Sequence, residues 1–310
     1  MAALGDDHGW DLMGIADTPG NAMDVWVALA QAAERTARVP LAACVTNLVT
    51  RHPGVTSGAA ASVDALSAGR LILGLGTGHS GVVNVGAAAS SPAEYRRGLA
   101  DVRARLAETA GPTRRVPVYA AASGPGALRA AGAVADGVFV NYGLGPEHVA
   151  RALGLIAEGA REAGRAPGDV DVWWIACLDV DEDREVALAK LGNILGFVGA
   201  YVVGPAPERR DVPPALVEGM RELRRTYTTR RAEMDPALTR RLGVFDYLRG
   251  RLAIAGTPQD CVAQVGAALA AGAHSLMFTV SLASDPVRTV ELFGRDVLGR
   301  LKGVQPSRPA

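Results

Sequence analysis

Five short polar runs in this chain could do chemistry: Asp17-Thr18, Thr46-Asn47, Thr77-Gly78-His79-Ser80, Ser123-Gly124 and Asn141-Tyr142. Each follows an apolar stretch with strand character, so each is expected at the tip of a strand. His79 is the one histidine in such a run, and it reads either as a proton donor or substrate contact or as a plain rim residue. Asp17 is the carboxylate candidate for acid–base work beside it. Ser123 and Gly124 open a helix, where a hydroxyl and free backbone N–H groups suit an anion, although the serine would serve equally as an N-cap. Gly76 to Gly81 fits the GxGxxG spacing after a strand, which invites a dinucleotide-fold reading. That motif alone is a weak signal, and it competes with a second glycine turn, Gly124-Pro125-Gly126.

The elements that must position these residues alternate. Strand patterns fall at 11–16, 41–45, 71–74, 117–122, 138–140, 170–178 and 275–280. Helical patterns lie between them at 24–37, 53–66, 92–109, 127–135, 146–164 and 183–197, and again at 257–270 and 286–301. Alternation of this kind gives a parallel sheet, and its strand count suits a closed TIM-type (β/α)8 barrel better than a doubly wound sheet. In such a barrel the strand-end loops converge on one face, so the five runs would line one pocket. Between 203 and 252 the alternation lapses into a proline-rich connector and two helices, 214–227 and 236–248, expected as a lid or substrate wall on a single barrel domain. The tail, 303–310, is expected to be disordered. Trp173 and Trp174 should face opposite sides of their strand. Trp26 is a candidate pocket wall or a core residue, His52 a cap before Pro53, and His8, His148 and His274 surface or turn residues.

Composition narrows the partners. Basic and acidic residues balance at 32 each, so a nucleic-acid partner is not expected. The cluster from Arg221 to Arg231 reads as a solvated helix face. Hydrophobic residues make up 49% of the chain and aromatics only 5%, so Ala, Val and Leu must build the core. Cys44, Cys177 and Cys261 are far apart in apolar contexts, which fits buried thiols in a reducing compartment rather than disulfides or a metal site. The first ten residues are acidic and polar, unlike a signal peptide, and no apolar run reaches membrane-spanning length. A cytoplasmic protein without a membrane partner is expected.

Two ordered motifs carry a family resemblance: TNLVTRHP through DALSAGRLILGLGTGHS (46–80) and PVYAAASGPGALRAAGAVADGVFVN (117–141). With these the chain resembles the luciferase-like superfamily of flavin- and deazaflavin-dependent oxidoreductases, especially the branch near methylenetetrahydromethanopterin reductase. The likeness runs from about Asp11 to Leu301 and is weakest between Val203 and Arg251. It implies a barrel whose first strand has no counterpart here, hydride transfer between reduced F420 and a small organic substrate, and homodimer formation. FMN is the alternative cofactor, with an oxygen-using monooxygenase or a non-catalytic flavin-binding relative as alternative functions. It also implies cofactor contacts from Ala43, Cys44, Thr46, Thr77, Gly78, Ala122, Ser123, Gly124, Asn141 and Tyr142, with the phosphate at Ser123-Gly124. A bulge with a non-prolyl cis peptide bond is implied at Ala43–Cys44. Relatives often carry an acid where this chain has His79. Asp64 and Arg70, also hallmarks of the resemblance, are expected as a structural ion pair at the opposite end of the barrel.

Overall fold

The structure is a computed structural model, described here for residues 2–110, 115–204 and 206–301. The tail expected to be disordered lies outside the described residues. Eight strands share one sheet: β1 (Met13–Ile15), β2 (Leu41–Asn47), β3 (Leu71–Gly76), β4 (Val118–Ala122), β5 (Gly137–Val140), β6 (Asp171–Val180), β7 (Ala253–Gly256) and β8 (Leu276–Thr279). Every pairing among them is parallel. β1 to β6 follow one another around the wall. The long β6 then serves two further neighbours, with β8 along Trp174–Cys177 and β7 along Cys177–Val180. The fold is therefore a TIM-type barrel, nearly closed. Seven strands match the sequence reading; β7 is an addition, laid beside the tip of β6 directly after the insertion.

Helices enclose the wall: α1 (Ala2–His8), α2 (Val25–Arg35), α3 (Pro53–Leu66), α4 (Ser80–Val83), α5 (Pro92–Ala110), α6 (Pro125–Val134), α7 (Pro146–Glu162), α8 (Arg184–Ala189) and α9 (Leu191–Val202). The insertion contributes α10 (Val217–Thr226), α11 (Leu238–Arg241) and α12 (Phe245–Leu252), and α13 (Pro258–Ala270) and α14 (Pro286–Leu292) complete the ring. Local chemistry sets many of these starts. Asp24 accepts from the amides of Trp26 and Val27, His52 from Gly54 as expected of a cap, and Thr257 and Asp260 form a reciprocal capping box. The single helix expected at 183–197 is two, α8 and α9, jointed at Lys190. The stretch 184–202 is long and apolar enough to cross a membrane, yet it is mostly buried within the fold.

Two apolar layers hold the barrel. Inside, Leu12, Ala42, Tyr119, Phe139, Trp173 and Met277 fill the bore; outside, Leu41, Leu73, Leu75, Val138, Val140 and Trp174 meet the helices. Trp173 and Trp174 thus do face opposite ways. A separate apolar cluster lies under the insertion, where α9 packs on α10 and α12 through Leu195, Val198, Met220, Leu223 and Leu248. At the far end of the barrel Arg70 gives its guanidinium to the carbonyls of Ala33, Thr36, Val39 and Ser67, while the Asp64 carboxylate accepts from the amide of Leu71.

Among the described residues β1 pairs only with β2 and β8 only with β6, so the wall has a seam between them. Trp10 covers it, with its ring 6.0 Å from Phe278 and 5.5 Å from Phe293. Across the bore, the Cys44 thiol lies 3.2 Å from the sulfur of Met277.

Candidate active site

The site begins with a register shift. β2 pairs regularly with β3 up to Ala43 and resumes at Thr46, and the cis peptide bond in this bulge is Cys44–Val45, one residue after the expected Ala43–Cys44. The bulge presses its backbone and Val45 toward β3, which answers with glycines. A Cβ on Gly74 would stand 2.3 Å from the Ala43 oxygen, and one on Gly76 2.9 Å from the Val45 side chain. The LGLG pattern in β3 is thus the complement of the bulge in β2.

Beyond the bulge, the Thr46 hydroxyl donates to the Asp17 carboxylate at 2.6 Å, joining the tips of β2 and β1. Asn47 is spent locally, accepting from the amides of Val49 and Thr50. Gly78 adopts φ +91°, which favours glycine, and turns the chain directly into α4. The glycine-rich run is therefore a turn and a short helix rather than an open loop. Thr18 and Ser80 stand 3.4 Å apart, and the Asp17 carbonyl approaches Gly81 closely.

His79 is held by residues from the other half of the chain. Its Nε2 lies 2.7 Å from the Tyr227 hydroxyl, and its ring is stacked with Tyr227 at 5.7 Å, tilted on Tyr201 at 4.5 Å and edge-on to Phe197 at 5.3 Å. Burial first, and then the nearby Arg224 charge, push its pKa down from 6.5 to about 4. Its Nδ1 is buried without a hydrogen-bond partner among the described residues. The Asn141 amide, at the tip of β5, donates to the Tyr201 hydroxyl at 2.7 Å, so Tyr201 spans the mouth between the tips of β5 and β3. Burial pushes the Tyr201 phenol well above its ordinary pKa.

A cationic corner adjoins. The first turn of α6 has no side-chain cap, and the Arg210 guanidinium packs on Gly124 and donates to the Ser123 carbonyl and, at 3.1 Å, to that of Val202. The buried Arg251 donates to the Tyr142 carbonyl at 3.0 and 2.9 Å and to the Arg210 carbonyl at 2.5 Å. Here Ser123, the uncapped amides and Arg210 form a donor set suited to a phosphate group.

The structure joins Asp17 to Thr46, and Asn141 to His79 through Tyr201, and places Ser123 and Gly124 at the cationic corner, with Thr77 and Gly78 in the turn that carries His79. Ala43 and Ala122 belong to the layer between strands and helices, so only their backbones are open to a ligand. Cys44 borders the bore, its thiol pushed up to about 12 by burial. Tyr142 points away from Asn141's partners, as successive residues in extended chain do; its ring is buried near His148 and its hydroxyl lies 3.4 Å from Asp211. His148, expected at the surface, is buried at the start of α7, and Trp26 is a core residue. Tyr201, Tyr227, Arg210 and Arg251 were missed. Hydrophobic spacing on α9 was the only available signal for Tyr201, and nothing local marks the other three.

A parallel barrel with polar strand tips gathered at one mouth, a donor cluster beside a helix start and an insertion folded over it defines an α/β-barrel enzyme. Comparison with known proteins narrows the class. The luciferase-like monooxygenase family model matches residues 1–109 and 99–275. The 5,10-methylenetetrahydromethanopterin reductase of Methanolobus tindarius is 29% identical over 329 residues, 96% of this chain and 94% of that protein. An F420-dependent glucose-6-phosphate dehydrogenase of Rhodococcus jostii is 27% identical over 338 residues, covering 98% and 93%. The solved F420-dependent tetrahydromethanopterin reductase of Methanopyrus kandleri superposes with a TM-score of 0.76 at 24% identity, covering 96% of this chain and 93% of that one. The chain belongs to the luciferase-like monooxygenase family and is an oxidoreductase.

Proposed function

We propose that this protein is an F420-dependent oxidoreductase acting on a small organic substrate, working as a homodimer in the cytoplasm with a single barrel domain. The observation that carries the reading is the joining of strand tips at one mouth, Asp17 to Thr46 and Asn141 through Tyr201 to His79, beside a phosphate-type donor set at Ser123 and Arg210. Relatives named as F420-dependent dehydrogenases favour the deazaflavin over FMN.

Bound, the cofactor supplies a two-electron hydride couple; the protein orients, shields and manages protons. Ser123, the first amides of α6 and Arg210 would hold its phosphate. The backbones at the β2 bulge, Thr77 and Gly78 would support its ring, and Asn141 would offer an amide once Tyr201 gives way. Thr46 keeps the Asp17 carboxylate fixed and hydrogen-bonded. The aromatic group Phe197, Tyr201 and Tyr227 excludes water from His79, which strengthens electrostatic interactions inside. Anaerobic oxidation of reduced F420 by candidate carbonyl and imine acceptors tests the reading. Acceptor-dependent loss of reduced F420 is expected; oxygen consumption with reduced FMN and none with F420 would replace it by a monooxygenase.

A further inference from the structure

The hydrogen bonds around His79 bear on which of its nitrogens carries the proton. Arg224 Nη1 lies 2.9 Å from the Tyr227 hydroxyl, and a guanidinium can only donate. Tyr227 therefore accepts from Arg224, and its own proton is free to turn toward His79 Nε2, 2.7 Å away. Nε2 is then an acceptor, so the neutral imidazole holds its proton on Nδ1, the nitrogen buried without a partner. A buried donor facing no acceptor is costly in a folded protein unless a ligand completes it.

The outer side of this arrangement is open to solvent. Tyr227 and Phe197 also border a cavity of about 280 Å³ lined by Asn193, Thr228, Glu233 and Arg241, in which the Thr228 hydroxyl donates to Glu233 at 3.1 Å. Tyr227 thus separates the half-buried imidazole from a polar space that can hold water. Around the imidazole stand Arg224 on α10, the sole charge that acts on it appreciably, and the uncharged rings of Phe197 and Tyr201 on α9.

We propose that Arg224 and Tyr227 are positioning residues that fix His79 as its Nδ1–H tautomer and resupply its proton, making Nδ1–H the donor to a carbonyl oxygen or imine nitrogen of the substrate. This rests on the redox function proposed above. As the substrate carbon gains hydride from the reduced deazaflavin or flavin, the His79 N–H bond breaks and the proton passes to the substrate heteroatom. The Tyr227 O–H bond breaks in turn and its proton joins Nε2, leaving a phenolate beside the Arg224 guanidinium. Once product leaves, water at the emptied donor position gives a proton to Nδ1 while Nε2 returns its proton to the phenolate, which restores the Nδ1–H tautomer and the Tyr227 hydroxyl. The substrate class is accordingly one whose heteroatom changes protonation on reduction, such as a ketone or an imine.

The test uses the full chain with ¹⁵N-labelled histidine, and long-range ¹H–¹⁵N spectra recorded without cofactor, His79→Gln assigning the signal. The wild type is expected to show an acceptor-type Nε2 and a protonated Nδ1 from pH 5.5 to 8. Tyr227→Phe, and independently Arg224→Met, should release the constraint and shift His79 toward the Nε2–H form usual in water, with the other histidines unmoved. An Nε2–H wild type, or spectra unchanged in both variants, overturns the proposal. Fluorescence titration of the same samples with F420 and FMN separates the two levels. The fixed tautomer in a protein that binds neither supports the positioning roles and sinks the redox reading; F420 binding with the wrong tautomer sinks only the relay.

Discussion

His79 stays neutral at physiological pH because burial and Arg224 both oppose its protonation. That has a consequence for stability. Its folded pKa of about 4 lies below its unfolded value of 6.5, so between these the unfolded chain binds more protons and stability falls as pH falls. The loss should reach at most about 3 kcal/mol near pH 4. Urea melts from pH 7.5 to 4 are expected to show it, and His79→Gln should flatten that part of the curve; an equal slope in the variant would contradict the assignment. His79 was legible in the sequence because it stands in a glycine turn after a strand. Its partners were not, since Tyr227 is 148 positions away and the pairing depends on how the insertion folds.

At the level of elements, strands and helices were readable wherever apolar period and caps agreed, as at Asp24 and Thr257. The short Ala253–Gly256 strand was not, because four residues directly after a helix, with one large apolar side chain among them, carry no alternation. The α8–α9 joint is not legible because apolar residues continue on both sides of Lys190 and no proline marks the break; Gly192, two residues on, lies within α9. Placement of the cis bond rested on the resemblance alone and fell one residue short. The complement to the bulge is testable by itself. Gly74→Ala should destabilise the fold by about 2 kcal/mol, since its Cβ meets fixed backbone at 2.3 Å. Gly126→Ala, where a Cβ has open space, should change little in the same denaturant titration.

Over the whole molecule, the barrel's seam and its mouth have different guardians. Trp10 packs on Phe278 and Phe293 over the seam, so Trp10→Ala should cost about 3 kcal/mol in thermal or urea unfolding. Such a large effect from a residue near the chain's start would mark α1 as part of the wall; a change below about 0.5 kcal/mol would make it an appendage. At the mouth, the insertion is tied to the loops after β1 and β3: Asn21 donates to the Thr229 carbonyl at 2.6 Å and Thr229 to Asn84 at 2.6 Å. The sequence indicated that this segment would cover the strand ends, but not that it would supply Tyr227 and Arg210 to the site. Equilibrium fluorescence titration of the purified protein with F420 and FMN side by side tests the central claim most directly. Saturable binding of F420 is expected, with a Kd of about 1 μM or tighter and FMN much weaker. Failure of both compounds to bind would contradict a cofactor site at these strand tips.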